Sequence, residues 1–168
     1  MLASFVNLVN LDLSGNELTG EIPSELGNLV KLRWLDLSGN QLSGEIPPEL
    51  GNLARLEWLG LSGNKLTGEI PSEMGDFPRL SELYLYDNQL SGKIPPVLGE
   101  LANLRRLWLN ANQLTGNIPL ELGNLTSLRE LSLRSNLLTG CLPATLREQL
   151  EPGFFYLGDL PFCAIDGP

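Results

Sequence analysis

Side chains suited to molecular recognition recur at a fixed interval in this chain of 168 residues. Trp34 and Trp58 lie 24 residues apart, and Tyr84 and Trp108 show the same spacing. Indole and phenol rings combine a large apolar surface with one hydrogen-bonding group, and they dominate the energetics of many interfaces. The spacing therefore indicates binding chemistry, provided that the fold brings these rings to one surface.

Catalytic chemistry has few candidate residues. The chain contains no histidine, which excludes histidine acid–base catalysis and histidine metal ligation. No serine or cysteine lies beside a recognisable base, so only carboxylate chemistry remains. We expect those carboxylates to face solvent, and the sequence predicts a non-enzymatic protein without a cofactor.

The overall charge excludes another class of partner. Eleven basic residues stand against twenty acidic ones, for a net charge of −9, whereas nucleic-acid binding requires clustered Lys and Arg.

No apolar run approaches the roughly 18 residues of a membrane span. The opening MLASFVNLVNLDL lacks the features of a signal peptide. The protein either stays inside the cell or has lost its leader, and we expect the second.

A strict period of 24 residues organises the chain. The pattern L-x-x-L-x-L-x-x-N-x-L-T/S-G-x-I-P-x-x-L-G-x-L describes residues 8–151 as six repeats. We expect residues 1–7 to form an N-terminal flank and residues 152–168 a hydrophobic C-terminal cap of one domain. The period places one asparagine in every repeat: Asn16, Asn40, Asn64, Asn88, Asn112 and Asn136.

Each repeat is predicted to be one coil of a stack. Leucines in alternation, such as Leu11 and Leu13, mark a short strand with one buried face. The L-T/S-G-x-I-P segment turns the chain, because Gly accepts positive φ and Pro cannot donate a ladder hydrogen bond. One coil cannot bury its own leucines, so neighbouring coils must stack. The repeated asparagines are interpreted as structural, since their amides can satisfy backbone groups in buried turns.

LTGEIPSELGNL, LSGEIPPELGNL and LTGNIPLELGNL strongly resemble the plant-type leucine-rich repeats of receptor-kinase ectodomains, polygalacturonase-inhibiting proteins, and algal and stramenopile proteins. The resemblance implies an α/β repeat solenoid: a curved right-handed coil with a parallel sheet on the concave face and short 3-10 or loop segments on the convex face. It also implies a second short sheet near the L-x-G-x-I-P element. The N-terminal cysteine cap of the secreted plant members is missing, so a fragment and a lineage outside the receptor family both remain open.

The ends of such a stack need covering. Phe154, Phe155, Tyr156, Leu157, Leu160 and Phe162 are predicted to form a hydrophobic lid. Because secreted repeats of this family often have cross-linked ends, a disulfide between Cys141 and Cys163 is the hypothesis there. The alternative is two free thiols packed as small hydrophobic groups.

The concave face is predicted to carry the residues before, between and after the strand leucines. All three tryptophans and two of the three tyrosines fall on it, while Phe77 takes a core leucine position. Gly60 is expected to leave a notch beside Trp58. The alternating charges of Glu82, Arg106 and Glu130 have two interpretations, a ladder between strands or a device that orients a ligand. The predicted ligand-binding residues are Trp34, Asp36, Trp58, Gly60, Glu82, Tyr84, Tyr86, Arg106, Trp108, Asn110 and Arg134.

Two further patterns, a column of glutamates and a glycosylation sequon, are weak indicators of function. Columns of glutamates, such as Glu21, Glu45 and Glu69, could bind calcium, but a solvated outer face is the better interpretation, and no metal site is predicted. Asn124, followed by Leu125 and Thr126, forms the only glycosylation sequon. Its use requires the secretory route.

The leading functional hypothesis is a receptor-like recognition module that binds a protein or peptide on the concave face. Two alternatives use the same face, either to stack on a cell-wall oligosaccharide or to dock permanently into a larger assembly. Self-association through the aromatic residues is a further alternative, although we expect a monomer. An extracellular location is expected and an intracellular one is the alternative.

Overall fold

The computed structural model describes residues 5–150, 155–156, 158 and 160–164. They form a solenoid of stacked coils whose main sheet is entirely parallel, as the resemblance implies. The strands of this sheet, in spatial order, are β1 (Asn10–Asp12), β3 (Trp34–Asp36), β5 (Trp58–Gly60), β7 (Glu82–Tyr84), β8 (Arg106–Trp108), β10 (Glu130–Ser132) and β12 (Phe155–Tyr156).

A second set of short strands forms where each coil turns away from the main sheet. It consists of two sheets rather than one continuous sheet. The first contains β2 (Thr19–Glu21), β4 (Gln41–Gly44) and β6 (Lys65–Leu66), and the second contains β9 (Thr115–Asn117) and β11 (Leu137–Thr139).

The outer side of the solenoid is built from 3-10 helices. Each begins after a proline with extended backbone. Proline has no backbone N–H, so it cannot donate a hydrogen bond that would continue the preceding segment. Glycine is needed within them because coils approach closely, and a Cβ on Gly51 would lie 2.8 Å from the backbone oxygen of Glu73. In the described part of the chain these helices are Ser24–Asn28, Pro48–Asn52, Ser72–Asp76, Pro96–Glu100 and Leu120–Asn124, and one short α-helix, α1, spans Leu146–Gln149.

The core is a continuous column of leucine and isoleucine side chains. Leu35, Leu59 and Leu83 occupy equivalent registers in neighbouring strands and are fully buried. Phe77 is buried among them, which confirms its predicted core position. The first coil differs, because Leu13 and Leu18 remain partly exposed around an apolar groove of about 430 Å³.

The asparagines connect successive coils. Nδ2 of Asn88 donates to the carbonyls of Leu61 and Leu85 at 3.0 and 3.2 Å, and its Oδ1 accepts the amide of Leu66 at 3.0 Å. Equivalent bonds are made by Asn40, Asn64, Asn112 and Asn136. Among the described residues, Asn16 donates only to carbonyls of its own coil, those of Leu13 and Ser14.

The C-terminal segment closes the last coil by pairing with it. Residues 155–156 extend the main sheet as β12 next to β10, an additional strand that the sequence analysis did not anticipate. Cys141 and Cys163 form a disulfide, as hypothesised. Leu160 and Phe162 pack against the core. Phe154, Leu157 and the side chains of Phe155 and Tyr156 lie outside the described residues.

Candidate recognition surface

The outward side of the main sheet, here called the concave face, carries three columns of side chains. Strand register aligns the first column as Asn10, Trp34, Trp58, Glu82, Arg106 and Glu130, and the second as Asp12, Asp36, Gly60, Tyr84, Trp108 and Ser132. A third column follows the strand ends and contains Ser14, Ser38, Ser62, Tyr86, Asn110 and Arg134. Because alternate residues of a strand point to opposite sides, the intervening leucines enter the core.

The first part of the face is a pair of stacked indoles. The ring centroids of Trp34 and Trp58 lie 4.0 Å apart with an interplanar angle of 6°. The strands that hold them are neighbours about 4.8 Å apart, so each ring turns a face toward the adjacent coil. Trp34 keeps 38% of its surface exposed, and Trp58 is half-buried.

The rings continue across the centre of the face. Tyr84 lies 5.4 Å from Trp58 in a tilted arrangement and 5.3 Å from Trp108 in an edge-to-face arrangement. Tyr86 contacts both of its aromatic neighbours, with centroid distances of 6.5 Å to Tyr84 and 5.6 Å to Trp108. Five rings from four neighbouring coils therefore form one contiguous group, here called the aromatic row.

Gly60 does not leave an open notch, contrary to the sequence-based expectation. A Cβ at this position would overlap the six-membered ring of Trp58 and lie 2.8 Å from Oδ1 of Asp36. The indole thus occupies the space that the missing side chain provides, and Gly60 is buried. The signal was present in the sequence, because residues i and i+2 of a strand share one side of the sheet.

A charged network borders the aromatic row. Nε of Arg106 donates to Oε1 of Glu130 at 2.8 Å, and Nη1 donates to Oε1 of Glu82 at 2.8 Å. These bonds raise the pKa of Arg106 above its ordinary value, the bond to Glu130 contributing most. The three side chains therefore form the ladder between strands that was one of the two interpretations, and Glu130 is buried.

The network also fixes one ring of the row. The hydroxyl of Tyr84 donates to Oε2 of Glu82 at 2.5 Å. Burial raises the pKa of the Tyr84 phenol well above its ordinary value, and the hydrogen bond to Glu82 raises it further. The phenol therefore stays protonated at neutral pH and remains a donor in a fixed orientation.

The third column changes in character along the solenoid. Ser62 donates to the hydroxyl of Ser38 at 3.1 Å, and the amide of Ser38 donates to Oδ1 of Asp36 at 2.9 Å. Farther along, Oδ1 of Asn110 is buried without a hydrogen-bond partner among the described residues, whereas Arg134 is exposed. The face thus runs from small hydroxyls to larger amide, phenol and guanidinium groups.

The arrangement is suited to binding. In the part of the chain that the structure describes, no group of His, Cys, Asp or Glu could hold a metal ion. The described helices include none long and apolar enough to cross a membrane. What the face offers is a rigid aromatic surface with polar groups on both sides.

Comparisons with known proteins agree with this architecture. A family profile described as "Leucine-rich repeat region" matches residues 1–151. A search among curated protein sequences gives no match.

Solved structures of plant receptors are clearly similar. The leucine-rich repeat ectodomain of the receptor kinase GASSHO1/SCHENGEN3 from Arabidopsis thaliana, in complex with CASPARIAN STRIP INTEGRITY FACTOR 2, is 44% identical with a TM-score of 0.85 over 88% of this chain. The Arabidopsis receptor kinase HAESA, in complex with the peptide hormone IDA and the co-receptor SERK1, is 43% identical with a TM-score of 0.83 over 92%. The plant peptide hormone receptor RGFR1, in complex with RGF2, is 41% identical with a TM-score of 0.82 over 83%.

The chain covers 18%, 27% and 22% of those three structures, respectively. It therefore corresponds to a minor part of each receptor's solenoid. The family is one of non-catalytic ligand-binding solenoids, so the chain is not an enzyme. Profile, fold and identity together show that the chain belongs to the leucine-rich repeat family and is similar to the ectodomains of plant receptor kinases.

Proposed function

We propose that the concave face binds a peptide, either free or as a segment of a partner protein, through the aromatic row. The observation that carries this proposal is the contiguity of five Trp and Tyr rings across β3, β5, β7 and β8. Interface energy is concentrated in such clustered, preorganised aromatic side chains. The charges of Glu82, Arg106 and Glu130 are paired with one another. They therefore stabilise the aromatic row and are compensated without a charged ligand.

Ring orientation favours a peptide over a sugar. A sugar stacks on the open face of an aromatic ring, but Trp34 and Trp58 turn faces toward each other. Tyr84 occupies the other side of Trp58. Trp58 therefore has neighbouring rings where a sugar would stack, which favours a peptide as the ligand.

The similar structures support the same ligand class. HAESA was solved in complex with the peptide hormone IDA, and RGFR1, a plant peptide hormone receptor, was solved in complex with RGF2. The region of those solenoids that this chain resembles need not be their peptide site, so the proposal rests on the aromatic row itself. The disulfide and the similarity to receptor ectodomains favour an extracellular location, where the exposed Asn124 would be a glycosylation site.

Selection from a random peptide display library would test the proposal. The purified chain should enrich peptides with shared apolar anchor residues. Hydrogen–deuterium exchange with a selected peptide should then show protection in β5, β7 and β8. A parallel titration with cell-wall oligosaccharides provides the competing outcome.

The matched control is a variant of an apolar residue on the outer side. Leu120 is 69% exposed and lies in the helix Leu120–Asn124, so Leu120→Ala should leave peptide binding unchanged. Protection confined to the 3-10 helices, or binding of oligosaccharides but no peptide, would contradict the proposal.

A further inference from the structure

Positive charge is concentrated at one edge of this acidic protein. Two columns lead into the strands of the main sheet, one at positions 7, 31, 55, 79, 103 and 127 and one at 9, 33, 57, 81, 105 and 129. They contain six of the eleven basic residues and only one of the twenty acidic residues, Glu57. We call the basic residues of these columns the basic edge: Lys31, Arg33, Arg55, Arg79, Arg105 and Arg129.

Backbone hydrogen bonds hold the second of these columns in a continuous line. The amide of Glu57 donates to the carbonyl of Arg33, that of Ser81 to Glu57, and that of Arg105 to Ser81, at 2.8, 2.8 and 2.7 Å. The amide of Arg129 continues the line to Arg105 at 2.8 Å. All six basic residues are exposed. The edge is therefore a rigid ladder that presents cations to solvent at the spacing of the coils.

Most of these cations have no carboxylate partner within the described ranges of the chain. Arg33 pairs with Glu57 at 2.5 Å. Among the residues that the structure describes, the other salt bridges involve only Arg106, on the concave face. Arg55, Arg79 and Arg105 thus form no ion pair with any described residue, although the protein carries nine excess negative charges.

The centre of the edge is recessed rather than flat. A polar depression of about 400 Å³ is lined by Arg79, Arg105, Asn103, Ser81, Ser127 and Glu57. Three of these residues are fixed by bonds between coils: Ser81 to the carbonyl of Glu57 at 2.9 Å, Asn103 to Pro78 at 2.8 Å, and Ser127 to Ala102 at 2.8 Å. The two guanidinium groups thus border a preformed polar recess.

We propose that the basic edge binds an acidic segment of a partner protein, with Arg79 and Arg105 holding one of its carboxylate side chains in the recess. The guanidinium fork matches a carboxylate in two parallel hydrogen bonds, which a lone ammonium does not. The excess negative charge elsewhere does not prevent this, since screening at physiological salt acts over about 8 Å.

The surface is distinct from the aromatic row, and the proposal stands whether or not a peptide binds there. Glu57 directly precedes Trp58, and Arg105 directly precedes Arg106, so one partner could contact both surfaces. Basic-edge contacts would then govern the association rate and its salt dependence more than the final affinity.

Fluorescence anisotropy with a defined probe tests the proposal. The probe is a labelled ten-residue peptide of alternating Glu and Gly, and its matched control replaces every Glu with Gln. At about 50 mM salt the acidic probe should bind and the neutral one should not. In the full chain, R79Q/R105Q should weaken binding about tenfold or more. R55Q/R129Q removes the same charge outside the recess and should weaken binding about threefold.

A variant of equal charge on the opposite edge separates local contact from overall charge. Lys65 and Lys93 are exposed beside the second set of strands, so K65Q/K93Q should change the affinity less than about twofold. Equal losses in this variant and R79Q/R105Q, or no binding of the acidic probe at millimolar concentration, would overturn the proposal. So would tighter binding of an oligogalacturonate than of the peptide, which would identify a polyanionic glycan. Sedimentation that shows self-association abolished by R79Q/R105Q would instead identify a second copy as the occupant.

Discussion

The two sides of the main sheet obey different rules, although the same short strands build both. On the inward side Leu35, Leu59, Leu83, Leu107 and Leu131 repeat without variation and are fully buried. On the outward side, positions in register change from Trp34 and Trp58 to Glu82, Arg106 and Glu130. Positions that repeat are those that stacking requires, so the positions that vary are where recognition can reside.

The largest expected effect is on the repeated, inward side. Leu59→Ala should lower the free energy of unfolding by about 2–5 kcal/mol, because it removes a fully buried side chain and leaves a cavity. Urea denaturation followed by circular dichroism measures this change. Leu137, 65% exposed, is the matched control, and a similar loss for Leu137→Ala would show that burial in the stack does not set the cost.

A somewhat smaller effect is expected for the asparagine columns. Asn88→Ala should cost about 2–3 kcal/mol, because it leaves the backbone groups of Leu61, Leu66 and Leu85 without their partner. Asn16→Ala should cost less than half as much, since Asn16 is exposed and bonds only within its own coil. Equal losses in the two variants would mean that bonds between coils add nothing.

Moving to the outward side, Gly60→Ala should cost about 1–3 kcal/mol by displacing the Trp58 ring. The displacement should also change the tryptophan fluorescence spectrum. A double-mutant cycle with Trp58→Ala is the control, because the added methyl group has more room once the indole is gone. Purely additive costs would contradict the placement of the ring over Gly60.

The smallest effect is expected for the phenol. Tyr84→Phe removes the hydrogen bond to Glu82 and should cost about 1 kcal/mol at neutral pH. The pKa of Tyr84 is raised in the folded protein above its ordinary value of 10.0. Its contribution is therefore complete below pH 10 and declines as the pH rises above 10.

The measurement is a comparison of urea midpoints at about pH 8 and pH 10.5 for the wild type and Tyr84→Phe. The wild type should lose more stability between the two values than the variant does. A wild-type midpoint no more sensitive to alkaline pH than that of the variant would contradict the half-buried, hydrogen-bonded phenol.

The sequence predicted the inward side well because the signal there is redundant. The period fixed the coil, the buried leucines and the strand register, and Phe77 was placed correctly because it occupies a leucine position. Prediction was weaker for the outward side of the main sheet, where the residue type changes from one repeat to the next. The indole of Trp58 fills the space at Gly60, and its rotamer depends on neighbours that no repeat specifies.

The ends of the chain were predicted only in part for the same reason. Cys141 and Cys163 were paired correctly by analogy with capped repeats. That residues 155–156 form an additional strand beside β10 was not predicted, although Phe155 lies 24 residues after its partner Leu131 and so keeps the spacing of the repeats. The strand was missed because Pro152 and Phe155 stand where the earlier repeats have leucine, so the residue types change although the spacing persists.

Peptide binding by the concave face is tested most directly by measuring affinity and stability on the same samples. A peptide selected against the wild type would be titrated calorimetrically into the wild type and into Trp58→Ala/Tyr84→Ala, with the unfolding free energy of each recorded. We expect the affinity to be at least about a hundredfold lower in the variant, while its cooperative unfolding transition is retained. Unchanged affinity in a folded variant would contradict the assignment of recognition to the concave face.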